Sequence, residues 1–226
     1  MLIDFEGKKI ELKPTKIVAV AKNYRAHAVE MGGTAPEEPK FFLKPPSSLI
    51  GHKGVVILPS ISQRVDYEVE LGVLIKHPTK NISVNDASKN ILGYTITVDI
   101  TARDIQNEAK KAGMPWTIAK GFDTFAPTGP CILSPDRFDP SGADLWLKIN
   151  GELKQHGNTR DMVHSVYGLI AYISRVMTLE PLDLIATGTP EGIGPMKHGD
   201  FIEAGIDGIG VLEFTVEKNK DKDKEM

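Results

Sequence analysis

Cysteine is nearly absent: Cys131 stands alone, so no internal disulfide can form, and no C-x-x-C pair marks a zinc site or a redox motif. Long apolar runs are missing as well. No stretch of about 18 apolar residues is available to cross a membrane as a helix. The opening MLIDFEGKKI lacks the basic segment and apolar run of a secretion signal. No block of five basic residues occurs, and 27 Lys+Arg against 30 Asp+Glu give a formal charge of −3, so no general positive field exists to hold a phosphate backbone. These absences predict a cytoplasmic protein without nucleic-acid or membrane partners. Catalytic signatures are missing too: there is no G-x-S-x-G, H-E-x-x-H, G-x-G-x-x-G or Walker A motif. Cys131, between Pro130 and Ile132, reads as packing rather than as a nucleophile. Any metal would therefore sit among carboxylate oxygens, which favours Mg²⁺ or Mn²⁺, with Ca²⁺ less suited.

What is present fits one globular domain: 226 residues, 41% hydrophobic and 25% charged. Short segments of alternating apolar and polar residues lie between Gly/Pro/Asn turns and predict strands at 17–21, 55–58, 65–75, 91–101, 145–149, 182–186 and 211–216. The dipeptide Asn150-Gly151 predicts a hairpin, because both central residues of a type I′ turn need positive φ. Helices are predicted at 23–31, 102–112 and 162–177, the first two closed by glycine. Strands dominate, so the fold class is mostly β (α+β). The proline-rich stretch 32–54 reads as a long irregular segment, either a lid or a stiff connection. The domain is expected to span 1–217, its first 50 residues forming a lid and edge strands, and the charged tail 218–226 is expected to be disordered.

Several constellations could carry chemistry. In VDYEVEL the period of two places Asp66, Glu68 and Glu70 in one row, about 6.6 Å apart, where each neighbouring pair repels by about 2.5 kcal/mol at an effective dielectric near 20. The row is either the wet face of a strand or, in a cleft, a cation site. Asp99 ends a second strand on its polar face, and Arg103 and Gln106, at i and i+3 of the helix that follows, point the same way. Lys120 is a lone cation in an apolar run, a position that usually lets lysine reach water. His27 and Glu30 are one helical turn apart, as a surface pair or as a base with its orienting carboxylate. The turn Gly188-Thr189-Pro190-Glu191-Gly192 follows a strand and offers backbone donors to a carboxylate or phosphate.

Taken in order, AKNYRAHAVEMG, KFFLKPPSSLIG, VDYEVELGVLI, GYTITVDITARDIQ, AKGFDTFAPTGP, INGELKQHGNT and ATGTPEGIGPMKHGD resemble the fumarylacetoacetate hydrolase family over residues 16–216. The resemblance implies a mixed β-sandwich roll with a few short helices, assembled as a homodimer. It implies Glu68, Glu70 and Asp99 as ligands of Mg²⁺ or Mn²⁺, with no ligand role for Asp66. It also implies Arg103, Gln106 and Thr189 as substrate-binding residues and His27, Glu30 and Lys120 as catalytic ones. The short chain with N-Y-x-x-H-x-x-E looks most like the acylpyruvase and oxaloacetate decarboxylase branch. The expected activity is cleavage of small 2-oxo (di)carboxylic acids through a pyruvate enolate, with His27 activating water for acylpyruvates and loss of CO₂ from oxaloacetate. Two positions depart from the family pattern, Val98 before the metal Asp and Gly121 after the Lys. Alternatives are an isomerase or decarboxylase of 2-hydroxy-diene dioates and, in another class, a non-catalytic β module stabilised by a structural cation.

Overall fold

The computed structural model describes residues 1–219. The expected tail begins inside it, because Lys218 ends the strand Gly210–Lys218 and the Asn219 N–H donates to the Leu58 carbonyl. Residues 220–226 lie outside the described range.

Two sheets form a sandwich. In the larger, the strands run in the order Lys8–Glu11, Leu2–Phe5, Ala126–Leu133, Ile91–Val98, Val69–Ile75, Leu184–Ala186, Ile17–Ala21 and Lys40–Lys44. The second runs Glu152–Asn158, Asp144–Ile149, Phe201–Ile206, Gly210–Lys218 and Gly54–Leu58. Alternating residues of each sheet meet in one core: Leu71, Val73, Tyr94 and Ile96 from the first, Leu145, Leu147, Ile202 and Phe214 from the second. Removing such side chains from water at about 25 cal/mol per Å² is the main force holding the sheets together. At the edge of the larger sheet the N-terminal hairpin contributes Ile3, and the residue after it Leu12, to a second apolar cluster with Leu74, Ile132 and Leu184. Mixed sheets with few helices agree with the expected fold class.

Four α-helices, α1 (Arg25–Glu30), α2 (Arg103–Ala112), α3 (Thr117–Lys120) and α4 (Val166–Val176), lie among the described residues. The third predicted helix starts four residues late, because Ser165 caps α4 by accepting the Gly168 N–H, while Met162 pairs with Tyr24 as an isolated bridge. The hairpin is as expected, with φ positive at both Asn150 and Gly151.

Three expectations need correction. The stretch 32–54 is not irregular throughout: Lys40–Lys44 forms an edge strand antiparallel to Ile17–Ala21, and Leu49–Ile50 pairs with Ala126–Leu133. The strands at 65–75 and 91–101 are each broken, the first at Glu68 and the second at Asp99 and Ile100. The acidic row is not a wet face either. Asp66, Glu68 and Glu70 are all buried, because Val65–Tyr67 is flanked by Thr101–Ala102 and Gly194–Pro195 while Val69–Ile75 lies in the middle of the larger sheet.

Candidate active site

The breaks in the two strands place the acids. Glu68 sits where the chain leaves one sheet for another, and Asp99 sits at the end of Ile91–Val98; the Asp99 N–H donates to the Glu68 carbonyl at 2.8 Å. One carboxylate oxygen each from Glu68, Glu70 and Asp99 then lies within 4.8 Å of the others.

Buried cations surround this cluster. Lys120 Nζ donates to Glu68 Oε2 at 3.0 Å, Asp99 Oδ2 at 2.6 Å and Thr101 Oγ1 at 2.5 Å. Lys44 Nζ donates to Asp99 Oδ1 at 2.7 Å and to the Ile100 carbonyl at 3.0 Å. The Arg103 guanidinium spreads over three partners: Nε to Asp66 at 2.8 Å, Nη1 to Gln106 Oε1 at 2.7 Å, and Nη2 to Glu68. Burial alone would raise the Glu68 carboxyl, but Lys120 and Arg103 hold it far below the usual carboxylate range. The same contacts act in reverse on Lys120, where Asp99 and Glu68 outweigh burial and keep the ammonium charged. Lys44 goes the other way, lowered by burial and by neighbouring Lys120 against the pull of Asp99.

Glu70 is the exception. Its Oε2 accepts the Gly188 N–H at 2.7 Å, but no Lys or Arg among the described residues pairs with it. Burial, Asp99 and Glu68 push its carboxyl well above the ordinary range. A buried carboxylate beside two others, with no cation of its own, lacks the positive charge that would keep it ionised. A hard dication bound by oxygen supplies it, so these residues fit Mg²⁺ or Mn²⁺.

The remaining expected residues meet this cluster from the other side. His27 Nδ1 lies 3.0 Å from Glu30 Oε2 on α1, and Glu30 Oε1 accepts the Gly192 N–H at 3.0 Å. The glycine turn therefore does receive carboxylates through its backbone, but they are the protein's own Glu70 and Glu30. Its geometry demands glycine: φ is +101° at Gly188, where a Cβ would come within 2.6 Å of Asn23, and +94° at Gly192. Thr189 is buried in the same turn and accepts from Gln155 Nε2 at 2.9 Å.

His27, Glu68, Glu70, Arg103, Gln106, Lys120 and Thr189 line one cleft. Asp99 and Glu30 stand behind it, touching it through Lys120 and His27. Sequence reading missed three contributors. Lys44 arrives on an edge strand 55 positions from Asp99; its only local signal is a lysine ending an apolar segment before Pro45-Pro46. Asp66 holds no place in the carboxylate cluster, yet it is fully buried and braces Arg103, with Arg64 on its other oxygen at 2.8 Å. Gln155, in the predicted hairpin, carries no sequence mark of its role.

Comparison with known proteins agrees with this geometry. Residues 16–217 match the family described as fumarylacetoacetate (FAA) hydrolase C-terminal. The chain is 45% identical over 204 residues to the mitochondrial oxaloacetate tautomerase of Arabidopsis thaliana, spanning 90% of this chain and 92% of that protein. It is 32% identical to fumarylpyruvate hydrolase from Pseudomonas aeruginosa, solved in complex with Mn²⁺ and pyruvate, with a TM-score of 0.92 over 97% of this chain and 96% of that one. It is 42% identical to 5-carboxymethyl-2-hydroxymuconate delta-isomerase from Mycobacterium smegmatis, with a TM-score of 0.84 over 93% and 81%. The ordered motifs, the broken-strand sandwich and these likenesses converge, and the chain belongs to the fumarylacetoacetate hydrolase family, whose members are enzymes.

Proposed function

We propose that this chain is a divalent-metal-dependent enzyme that interconverts the enol and keto forms of 2-oxo dicarboxylic acids of the oxaloacetate type. The observation that carries this reading is the meeting, in one cleft, of an imidazole–carboxylate pair with a cation-ringed carboxylate triad. The likeness to an oxaloacetate tautomerase supports it. Glu68, Glu70 and Asp99 would hold the cation, which when bound supplies Lewis acidity toward the carboxylate and carbonyl oxygens of a 2-oxo acid.

The chain's own groups do the rest. Glu30 accepts the Nδ1 proton of His27, which leaves the Nε2 lone pair free to take a proton from C3 of the keto acid or, once charged, to return it to the enol. Negative charge developing on the C2 oxygen is met by the Lys120 ammonium, which Asp99 and Glu68 keep protonated. Arg103, braced by Asp66, and Gln106 orient the substrate, and the Thr189 hydroxyl, positioned by Gln155, donates a hydrogen bond to a substrate carboxylate.

Cleavage between C3 and C4, as in acylpyruvate hydrolysis, is a second reading. The likeness to a fumarylpyruvate hydrolase bound to Mn²⁺ and pyruvate favours it, and it would use the same residues, with His27 activating water. The test mixes purified protein, stripped of metal and reloaded with Mg²⁺ or Mn²⁺, with enol-oxaloacetate and, separately, with an acylpyruvate, and follows loss of the enol absorbance while assaying pyruvate in both. Faster ketonisation without pyruvate supports the first reading, pyruvate release supports the second, and no acceleration of either with metal present sinks both.

A further inference from the structure

Helix α2 carries a third residue on its site face. Arg103, Gln106 and Lys110 are spaced i, i+3 and i+7, so all three project toward the cleft, and Lys110 lies about 6 Å further along the axis than Gln106. Lys110 lines the cleft with its ammonium 5.2 Å from the centre of the Trp116 ring. Lys22, just after the strand Ile17–Ala21, lines the same cleft. The Lys22 ammonium rests against Gly33, where an added Cβ would come within 2.9 Å of Nζ, so the missing side chain makes its room.

These two lysines differ from the inner ones. Lys44 and Lys120 are both locked onto carboxylates, whereas neither Lys22 nor Lys110 forms an ion pair among the described residues. Burial, Arg103, Lys22 and Lys120 together outweigh the pull of Glu68 and bring Lys110 down to about 8, the effect of a mouth where positive charge is concentrated. An anion there would be attracted by both ammonium groups through charge-assisted hydrogen bonds.

We propose that Lys110 and Lys22 form a subsite for the distal carboxylate of the substrate, so that the cleft selects 2-oxo acids bearing a second carboxylate over those with an uncharged end. This rests on reading the cleft as a 2-oxo acid site and names the residues that choose among such acids. With C1 at the inner cluster, a far carboxylate directed outward along α2 would meet Lys110.

Two unreactive probes separate the subsite from the chemistry: malate, which carries the distal carboxylate, and lactate, which lacks it. Calorimetric titration of the Mn²⁺-loaded protein should show malate binding at least about tenfold more tightly than lactate, the scale of a charge-assisted hydrogen bond. Lys110→Met, which keeps an unbranched side chain without the charge, should bring the ratio to within about threefold; Lys110→Arg should restore it. An unaltered ratio in both Lys110→Met and Lys22→Met, or no preference in the natural protein, overturns the assignment. Malate preference that depends on Lys110, in a protein that leaves enol-oxaloacetate and acylpyruvates untouched, would sink the proposed reaction and leave the subsite standing.

Discussion

Gln155 and Thr189, 34 positions apart, are joined by a buried hydrogen bond of 2.9 Å from Nε2 to Oγ1, and the same amide accepts the Val69 N–H through Oε1 at 2.9 Å. Val69 lies between Glu68 and Glu70, so one side chain ties the strand of the carboxylates to the turn on the far wall of the cleft. A second donation, to the Pro190 carbonyl at 2.9 Å, fixes the turn itself.

Gln155→Leu keeps the volume and removes every one of these bonds. Leaving the Val69 N–H and the Pro190 carbonyl buried without partners should cost about 1–3 kcal/mol. Urea unfolding measures it, and activity should fall alongside because the turn is no longer held to the carboxylate strand. An unchanged unfolding midpoint would show that the amide contributes nothing.

Glu70 makes stability depend on pH in the metal-free protein. Its folded carboxyl holds a proton more tightly than the unfolded chain does, where it titrates near 4.5, so its contribution is complete below that value and is lost as pH rises above it. Glu70→Gln cannot ionise. The natural protein in chelator should lose stability relative to the variant by as much as about 1.4 kcal/mol per pH unit across the window above 4.5 where Glu70 titrates. Parallel curves for the two proteins would place the repulsion elsewhere.

Metal should reverse that penalty. At a concentration about 100 times its Kd, Mn²⁺ or Mg²⁺ should stabilise the natural protein by about 2.7 kcal/mol, and the Glu70→Gln protein by much less. Because Lys120 occupies oxygens of both Glu68 and Asp99, it competes with the ion for them. Lys120→Met should therefore bind Mn²⁺ about tenfold more tightly while losing turnover. Weaker binding in that variant would mean that the lysine organises the carboxylates rather than competing for them.

His27 and Glu30 act as a unit through their 3.0 Å contact. His27→Ala should reduce kcat by about 10²–10⁴-fold, the range of general acid–base catalysis. Glu30→Gln should cost less, since a Gln amide can still meet Nδ1 without charging the ring. The melting temperature of Glu30→Gln should stay close to the natural protein's, because the Glu30 side chain is 31% exposed. If hydrolysis of acylpyruvates and decarboxylation of oxaloacetate fell equally in His27→Ala, the water-activating role in the second reading would be lost.

Local sequence marked many of the elements and most of the candidates, although it did not mark the strands Leu2–Phe5, Lys8–Glu11, Ala126–Leu133 and Phe201–Ile206. The alternation in 65–71 put Asp66, Glu68 and Glu70 in one row, and the helix starting at Arg103 put Gln106 beside it, because side-chain direction along a strand or helix is set by the backbone repeat alone. The Asn150-Gly151 hairpin and the pairing of His27 with Glu30 were equally local. Tertiary structure decided the rest. Periodicity does not say what covers a face; the acidic row is buried because Thr101–Ala102 and Gly194–Pro195 flank Asp66 and because the strand of Glu70 lies in the middle of the larger sheet. Nor does it say which acid meets which cation: Asp66 turns to Arg103, Lys44 reaches Asp99 from an edge strand, and Glu70 is left with a backbone N–H. Those choices depend on contacts between residues far apart in the chain, where burial makes every unpaired charge costly enough to select one arrangement.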